Sequence, residues 1–414
     1  MGGRVSLLLV LAFSALFGLI GAQMLRTTNE ATDVYVDYFK KTKAHDLAVS
    51  GANIACNEIY LNTFWKNGYS NLSIDGGNVN VSVDSFGTNQ RKLFSASNYD
   101  GYKDTVIVWL EPKNFAQYGN FYDKMAAWAA TGDTFSGPFH TNDNLLCFGD
   151  PVFLGYTTTQ KGVVLNDNKS HPEFHGGLQE GVYIPLEFDT SMIMAAARTG
   201  GRIFKDSSNK KIIDVKLDLN NDGSITYSQS VGGAPWSAPK TEQIADMAPN
   251  GVICVERGNV YLKGILNGRL SILALKMKTN GAGIIHIVDD VTYNTNPLKD
   301  PTSADMLGII AEDYVQVDYD PARGDLDVQA SVYSQGDGIL IENYQKYPAA
   351  YLMNLLGGII GKRVLPTAEY YWDGKKYVPT NGYSYVHKYD ERFNKMVPPF
   401  FPLTKFYRIV AWQE

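Results

Sequence analysis

A chain of 414 residues is long enough for one large domain or two of ordinary size. Hydrophobic residues make up 44% of it, an ordinary share for a globular protein, which excludes a wholly disordered chain. Because 43 acidic residues outnumber 37 basic ones and leave a net charge of −6, the composition offers no basic surface for a phosphate backbone and argues against nucleic-acid binding.

The N-terminus carries a long, continuous helical pattern. Residues 5–25 are 21 consecutive uncharged residues, and as a helix they span about 30 Å, the thickness of the hydrocarbon core of a bilayer. From residue 31 to residue 59, apolar residues recur at steps of three and four, and no proline occurs before Pro112. We predict a single helix over residues 4–61, roughly 85 Å long, with Gly51 as its one weak point.

Three interpretations fit this helix. It is a secretory signal peptide with Arg4 as its basic region and a cleavage site after Ala22, a plain membrane anchor, or an anchor that also packs against copies of itself. Ser14, Gly18 and Ala22 lie four residues apart and form, with Gly21, a ridge of small residues. Such a ridge lets two helices approach closely, and it favours the third interpretation.

The same segment resembles a known family. Residues 6–11 (Ser-Leu-Leu-Leu-Val-Leu), residues 19–28 with their Leu-Arg-Thr sequence, and the alanine-containing residues 46–53 resemble the N-terminus of bacterial PilX-type pilin-like proteins. The resemblance covers residues 4–58. It implies a type IV pilin-like subunit whose helix resides in the membrane before assembly and in the filament core afterwards.

The chain departs from type IV pilins near its start. Those proteins carry a glutamate five residues into the mature helix, whereas no acidic residue precedes Glu30 here. Gly3-Arg4 resembles a prepilin-peptidase site but lacks the preceding basic leader. The resemblance therefore leaves open how the N-terminus is processed.

The pattern changes to that of β-structure after residue 61. Residues 79–83 alternate apolar and polar, a turn at residues 75–77 predicts a hairpin before them, and residues 105–110 form an apolar run typical of a buried strand. In residues 112–132 the apolar spacing predicts a short helix. We interpret residues 62–133 as a connecting α+β segment.

Residues 134–365 consist of short apolar runs separated by Gly, Asn and Asp, with strand starts some 20 to 30 residues apart. This spacing favours a parallel β-helix or a β-sandwich. The clearest runs are residues 145–148, 251–255, 270–275, 283–287, 306–311, 326–331 and 354–360.

A second resemblance covers roughly residues 130–414. Residues 137–145, 172–177, 267–272, 290–293 and 398–404 resemble, in this order, the ectodomains that often follow PilX-type helices. Those ectodomains resemble right-handed β-helices, and membership implies no enzymatic activity. The fold class expected is therefore mostly β with one long N-terminal α-helix and a right-handed parallel β-helix-like ectodomain, with a β-sandwich as the alternative.

Two segments interrupt or extend this body. Residues 178–248 are predicted to be an insertion that contains a helix over residues 191–200 and a hairpin around residues 220–223. Residues 366–414 are predicted to contain a second hairpin that turns at Asp373-Gly374, a proline-rich strap and a last strand at residues 406–410.

The clearest metal motif is the sequence Asp-Leu-Asn-Asn-Asp-Gly at residues 218–223. Asp218, Asn220 and Asp222 match the first ligands of an EF-hand-type calcium loop, but Gln229 stands where a bidentate Glu is needed, and the flanks are strands. A hairpin turn needs the same Asn-Asp-Gly sequence. Calcium binding and a bare turn are both compatible with these residues.

No other group of residues matches a metal or catalytic motif. The three cysteines have no metal-ligand spacing; Cys56 is expected to pack on the helix, and Cys147 and Cys254 either form a disulfide or are buried thiols. Two acidic pairs, at residues 289–290 and 312–313, fit either the paired carboxylates of glycosidases or turn caps. Several tyrosines between residues 314 and 347 are candidates for a sugar-binding surface, a subunit contact or edge coverage.

We therefore predict a non-enzymatic structural subunit of a type IV pilus-like filament, without a cofactor unless calcium binds. Its partners would be copies of itself and other pilin-like subunits. It would lie in the bacterial inner membrane before assembly and in the extracellular filament afterwards. The alternative is a membrane-anchored monomeric surface adhesin or glycan-binding protein.

Overall fold

The structure, a computed structural model, describes residues 2–62, 65–86, 90–187, 189–346, 350–374 and 377–414. It confirms a mostly β protein with one long N-terminal helix. The chain forms two compact units: Met1–Pro112 with Phe406–Glu414, and Lys113–Lys405. The domain boundaries predicted from the sequence lie at 61/62, 133/134 and 365/366, and they stay a prediction.

The first unit contains the predicted helix and a five-stranded sheet in the order β1-β2-β3-β4-β30. Its elements are α1 (Gly2–Leu61), β1 (Tyr69–Ile74), β2 (Gly77–Phe86), β3 (Gln90–Tyr99), β4 (Tyr102–Asn114) and β30 (Leu403–Gln413). The predicted turn before residue 79 is confirmed: Asp75 and Gly76 have φ of 43° and 81° and join β1 to β2. Both φ values are positive, as a two-residue hairpin turn requires.

The hydrophobic core of this unit lies between residues 44–59 of α1 and the sheet. Ala44, Leu47, Ala48, Ala52, Ala55 and Ile59 are at most 2% exposed, and all of them except Ala44 belong to one cluster with Val79, Val81, Leu93, Val106 and Val108. Their spacing of three and four residues places them on one face of the helix. The Ser95 hydroxyl donates to the Ala48 carbonyl at 2.7 Å, and the Ser97 hydroxyl donates to that of Ala44 at 2.5 Å. We call residues 44–59 the packed half of α1.

Gly51 lies where the packed half comes closest to the sheet. A Cβ built on Gly51 would stand 2.4 Å from Val79 Cγ1 and 2.6 Å from Ser95 Oγ. The glycine that looked like a weak point of the helix is thus a close-packing position.

The second unit contains most of the strands and two further helices, α2 (Ser191–Gly200) and α3 (Ile244–Met247). Short 3₁₀ turns occupy Phe115–Gln117, Tyr344–Lys346 and Glu391–Asn394. The strands are β5 (Asn120–Lys124), β6 (Ala129–Ala130), β7 (Thr134–Phe135), β8 (Phe139–Thr141), β9 (Leu145–Phe148), β10 (Val152–Phe153), β11 (Thr157–Thr159), β12 (Val163–Leu165), β13 (Glu173–Phe174), β14 (Leu178–Glu180), β15 (Arg202–Phe204), β16 (Ile213–Leu219), β17 (Ser224–Val231), β18 (Lys240–Gln243), β19 (Val252–Glu256), β20 (Gly258–Leu266), β21 (Arg269–Leu275), β22 (Ile285–Tyr293), β23 (Met306–Ala311), β24 (Val315–Val317), β25 (Leu326–Ser334), β26 (Ile339–Ile341), β27 (Ala350–Arg363), β28 (Ala368–Trp372) and β29 (Tyr377–Lys388).

Strand pairing in this unit is mixed. One parallel series runs β15-β19-β21-β23-β25-β27-β5-β8-β11-β14, and a second runs β16-β20-β22-β24-β26. Two short series, β6-β9-β12 and β7-β10-β13, are also parallel. The pairs β16–β17, β17–β18 and β28–β29 are antiparallel. Apolar side chains from equivalent positions of successive strands, such as Val260, Ile285 and Val315, fill the core.

The predicted short helix over residues 112–132 is wrong. The segment forms a 3₁₀ turn and then β5, whose backbone pairs in parallel with β8 and β27. Phe121 is fully buried but Trp128 is 43% exposed, so the apolar residues do not share one helical face. The three-and-four spacing arose from a turn followed by a short strand.

The predicted helix over residues 191–200 and the hairpin around residues 220–223 are confirmed as α2 and as β16–β17. Strands of the segment 178–248 belong to both long parallel series. In the first series β14 pairs with β11 and β15 pairs with β19, and in the second series β16 pairs with β20. The predicted C-terminal hairpin is present as β28–β29, and its residues 375 and 376 lie outside the described residues, as does Tyr347.

The cysteines are free thiols, so the structure contains no disulfide among the residues it describes. Cys147 and Cys254 are buried, and the Cys254 thiol contacts Met194 Sδ at 3.5 Å. Burial raises the pKa of both thiols, that of Cys147 to about 12. Neither thiol is therefore available as a thiolate nucleophile at neutral pH.

Candidate functional site: the exposed half of the N-terminal helix

Residues 5–25 of α1 present apolar side chains on every side. Val5, Leu8, Phe17 and Leu25 are each more than 60% exposed, and Ile20 is 41% exposed. Apolar surface of this extent marks a contact with a membrane or with protein. We call residues 4–25 the exposed half of α1.

The exposed half is the one helical segment, within the described residues, that is long and apolar enough by length and composition to cross a membrane. It is continuous with the packed half in the single helix α1. The helix α1 thus joins the exposed half, which needs apolar surroundings, to the packed half, which already has them.

The predicted ridge of small residues lies open on the exposed half. Ser14, Gly18 and Ala22 are exposed, and Gly21 is half-buried. A Cβ added at Gly18 or Gly21 would meet no atom within 4 Å. Nothing within this chain therefore requires glycine at either position, in contrast to Gly51.

The first charges after the apolar run pair within the helix. Arg26 Nε donates to Glu30 Oε1 at 3.0 Å, one turn further along. Both side chains are mostly exposed, so the pair adds little stability. It marks the residue at which the helix becomes polar.

The predicted calcium ligands lie in the β16–β17 turn. Asp222 Oδ1 accepts from the Ser224 backbone N–H at 2.9 Å and from its hydroxyl at 2.6 Å. Asn220 Nδ2 donates to the hydroxyls of Ser224 and Thr226, and Asp218 lies 3.9 Å from the Lys263 ammonium. These contacts are those of a capped hairpin turn, and the Ser224 hydroxyl lowers the pKa of Asp222.

Calcium binding at this turn stays a prediction that titration tests. We expect millimolar Ca²⁺ to leave the melting temperature unchanged, because Asp222 Oδ1 already accepts two hydrogen bonds from Ser224 and the Asn220 side-chain amide already donates within the turn. Asp222→Ala should lower the melting temperature slightly, whereas Asp222→Asn, which keeps an acceptor, should not. A rise in melting temperature with Ca²⁺ that is lost in Asp222→Asn would establish a calcium site instead.

The acidic pairs considered as catalytic carboxylates serve turns and ion pairs. Glu312 Oε2 accepts from the backbone N–H groups of Lys276 and Met277, and Asp313 lies 3.0 Å from the Lys276 ammonium. Asp290 accepts from the Asp327 backbone N–H at 2.8 Å. No group of three or more His, Cys, Asp or Glu side chains placed for a metal ion occurs in the described part of the chain.

Two buried histidines of the second unit form hydrogen bonds to neighbouring strands. His140 contacts the Thr158 hydroxyl at 2.7 Å and Asn142 Oδ1 at 2.8 Å, and the Asn142 amide in turn donates to the Ile184 carbonyl. His387 contacts Asn120 Nδ2 at 3.1 Å and the Gly357 carbonyl at 3.0 Å. Burial lowers the pKa of both histidines to about 4.

We expect the second unit to lose stability as the pH falls from about 6.5 towards about 4. In that range the unfolded histidines bind protons and the folded ones do not, so each lowers the free energy of unfolding by up to ~1.4 kcal/mol per pH unit. Urea unfolding of the full chain at several pH values measures the slope. His387→Gln should remove the share of His387, and an unchanged slope in that variant would contradict the assignment.

Comparison with known proteins leaves the chain without a family. No protein-family model matches it, and no curated protein sequence matches it. Among solved structures, it resembles the competence-associated pilin ComZ from Thermus thermophilus, with 10% sequence identity and a TM-score of 0.38 over 90% of this chain and 97% of that one. At this level the likeness assigns neither a family nor a function.

Proposed function

We propose that this protein is a structural subunit of a type IV pilus-like extracellular filament. The observation that carries the proposal is the division of α1. Its packed half is buried on the sheet of the first unit, whereas its exposed half has large apolar side chains in solvent on all sides. A helix that is apolar all round must be hidden in lipid or among other helices.

The same exposed half suits two successive environments. Before assembly it spans a bacterial inner membrane, for which its 21 uncharged residues are long enough. During assembly it moves among the helices of neighbouring copies, which are as apolar as the lipid it leaves. The subunit's partners are thus copies of itself and other pilin-like subunits, and the β-structure forms the outside of the filament.

Close helix contact in such a core requires small residues. Ser14, Gly18, Gly21 and Ala22 provide it, because in an apolar medium helices associate through van der Waals contact between closely approaching backbones. The chain has no acidic residue before Glu30 to pair with a neighbouring N-terminus. Assembly of this subunit therefore depends on packing along the ridge.

We further propose that the second unit is a right-handed parallel β-helix of the kind that PilX-type ectodomains resemble. Strands two positions apart in the chain pair in register, as successive coils would, and their inward positions are uniformly apolar. A β-sandwich is the alternative. The role proposed is non-enzymatic, with no cofactor and no nucleic-acid partner.

Fractionation of cells tests the filament against a membrane-anchored monomer. Material sheared from the cell surface and the remaining membrane fraction are compared by quantitative mass spectrometry. A filament subunit is expected in the sheared material, in polymers that sediment. A chain that stays in the membrane fraction as monomers would overturn the proposal and favour the anchored adhesin.

A further inference from the structure

An open groove lies on the outward face of the second parallel series, between the turn after β17 and the turn before β22. Its volume is about 430 Å³, and Lys211, Asp214, Asn259 and Tyr261 line it, with the backbone of Gly232, Gly233 and Gly281 at its rim. A groove of this size is within the range of small-molecule sites.

Tyr261 lines the groove, and its ring contacts two further aromatic rings. Tyr261 stacks on His286 with ring centroids 4.5 Å apart and an interplanar angle of 8°. Trp236 meets Tyr261 edge to face at 5.9 Å, and the Lys216 ammonium lies 4.4 Å from the Trp236 ring. Trp236 is nevertheless 38% exposed, so part of its side chain faces solvent next to Tyr261.

Hydrogen bonds hold the Asn259 side chain and one carboxylate oxygen of Asp214 in place. The buried Asn259 side chain donates to Asp214 Oδ1 at 3.0 Å and to the Gly281 carbonyl at 2.9 Å, and it accepts from the Ile284 backbone N–H at 3.1 Å. This holds one carboxylate oxygen of Asp214 and leaves Oδ2 without a hydrogen bond to any described residue. The Tyr261 hydroxyl and the Lys211 ammonium also have no partner among the residues described.

These features select the chemistry of the ligand. The backbone beneath the groove is already paired, since β16 lies between β17 and β20 and β20 lies between β16 and β22, so a peptide cannot add as a strand. One ammonium and one carboxylate line the groove and cancel in charge. What remains is an aromatic ring surface beside a held carboxylate, a tyrosine hydroxyl and a lysine ammonium, which suits a molecule with an apolar ring face and a rim of hydroxyl groups.

We propose that this groove binds a neutral hexopyranose unit of a glycan. The sugar ring packs against Trp236, and its hydroxyl groups bond to Asp214 Oδ2, to the Tyr261 hydroxyl and to Lys211. This activity is independent of the helix of the first unit. It gives the subunit an adhesive surface whether or not it assembles into a filament.

The test uses the full chain in detergent, titrated calorimetrically with cellotriose, maltotriose, chitotriose, mannotriose and trigalacturonate to about 10 mM. At least one neutral trisaccharide should bind with a Kd near 1 mM. Trp236→Ala should weaken binding about tenfold, and Tyr261→Phe, which keeps the ring packing and removes the hydroxyl, about threefold. Tyr183→Ala, at an aromatic residue 54% exposed outside the groove, should leave the Kd unchanged.

Three results would overturn the proposal: no trisaccharide binds, the groove variants bind as tightly as the wild type, or trigalacturonate binds more tightly than every neutral sugar. Circular dichroism verifies that Trp236→Ala is folded, and Tyr261→Phe provides the test if it is not. Filament assembly of both variants should equal that of the wild type, so a failure of sugar binding is distinct from a failure of assembly.

Discussion

Replacing Gly18 with tryptophan is expected to reduce the yield of sheared filaments at least about tenfold while leaving the monomer folded. Gly18 is exposed, and a Cβ built at this position meets no atom within 4 Å, so we expect the substitution to leave the fold of the monomer intact. In a filament core the indole would separate two helices that approach through the small-residue ridge. A contact repeated along the polymer needs to lose only ~1.4 kcal/mol to shift each association tenfold.

The matched control is Ala12→Trp. Ala12 is also small and exposed, and it lies two residues before Ser14, roughly 200° around the helix from the ridge. The Ala12→Trp substitution adds almost the same side-chain volume to α1 as Gly18→Trp does, but on another face of the helix. Wild-type filament yield from Gly18→Trp, measured by sedimentation of sheared material, would contradict the role of the ridge. An equal loss in both variants would mean that the helix is contacted all round.

Gly51→Ala is expected to lower the free energy of unfolding of the first unit by about 1–3 kcal/mol. In an exposed helix this change would stabilise by up to about 1 kcal/mol, because alanine has the higher helix propensity. Here the added methyl would overlap Val79 Cγ1 and Ser95 Oγ, which stand 2.4 and 2.6 Å from its position. A displacement of Ser95 would also weaken the hydrogen bond that its hydroxyl donates to the Ala48 carbonyl.

Urea unfolding of the full chain in detergent, followed by circular dichroism, measures this effect. Gly21→Ala is the control, because the same substitution in the exposed half meets no atom within 4 Å. It should leave the free energy of unfolding unchanged or slightly raised. A Gly51→Ala variant as stable as wild type would contradict the close packing of α1 on β2 and β3.

Local sequence patterns predicted the elements whose residues repeat with one period. The helix follows from its uncharged run and the three-and-four spacing to Ile59, and the first hairpin follows from Asp75-Gly76, which tolerate positive φ. Gly51 could be found in the sequence but not explained. Its reason is a contact with Val79 and Ser95, which are distant in the chain.

Strand pairings between distant segments could not be predicted from local sequence patterns. Residues 120–124 form a strand because β8 and β27 flank them, and β27 lies more than 200 residues away. The first parallel series has β14 at one end and β15 at the other, although the two strands follow each other in the chain. No local sequence pattern indicates this arrangement, so residues 178–248 resembled an insertion.

The groove was missed for a similar reason. Trp236 reaches Tyr261 from a turn, and the sequence gives no indication of that contact. A partial signal existed in the runs at residues 259–262 and 284–287, which align so that Tyr261 falls beside His286. Aligning the apolar runs on one another, as stacked strands would be, would have placed these two rings together.

Cryo-electron microscopy of material sheared from cells is the decisive experiment on filament assembly. We expect filaments of this chain in which residues 5–25 of neighbouring copies contact one another along the axis, with Ser14, Gly18 and Ala22 at the closest approach and the β-structure outside. If the filaments lack this chain, or if the chain is recovered only as monomers in the membrane fraction, then the exposed half of α1 is an anchor and the filament proposal is wrong.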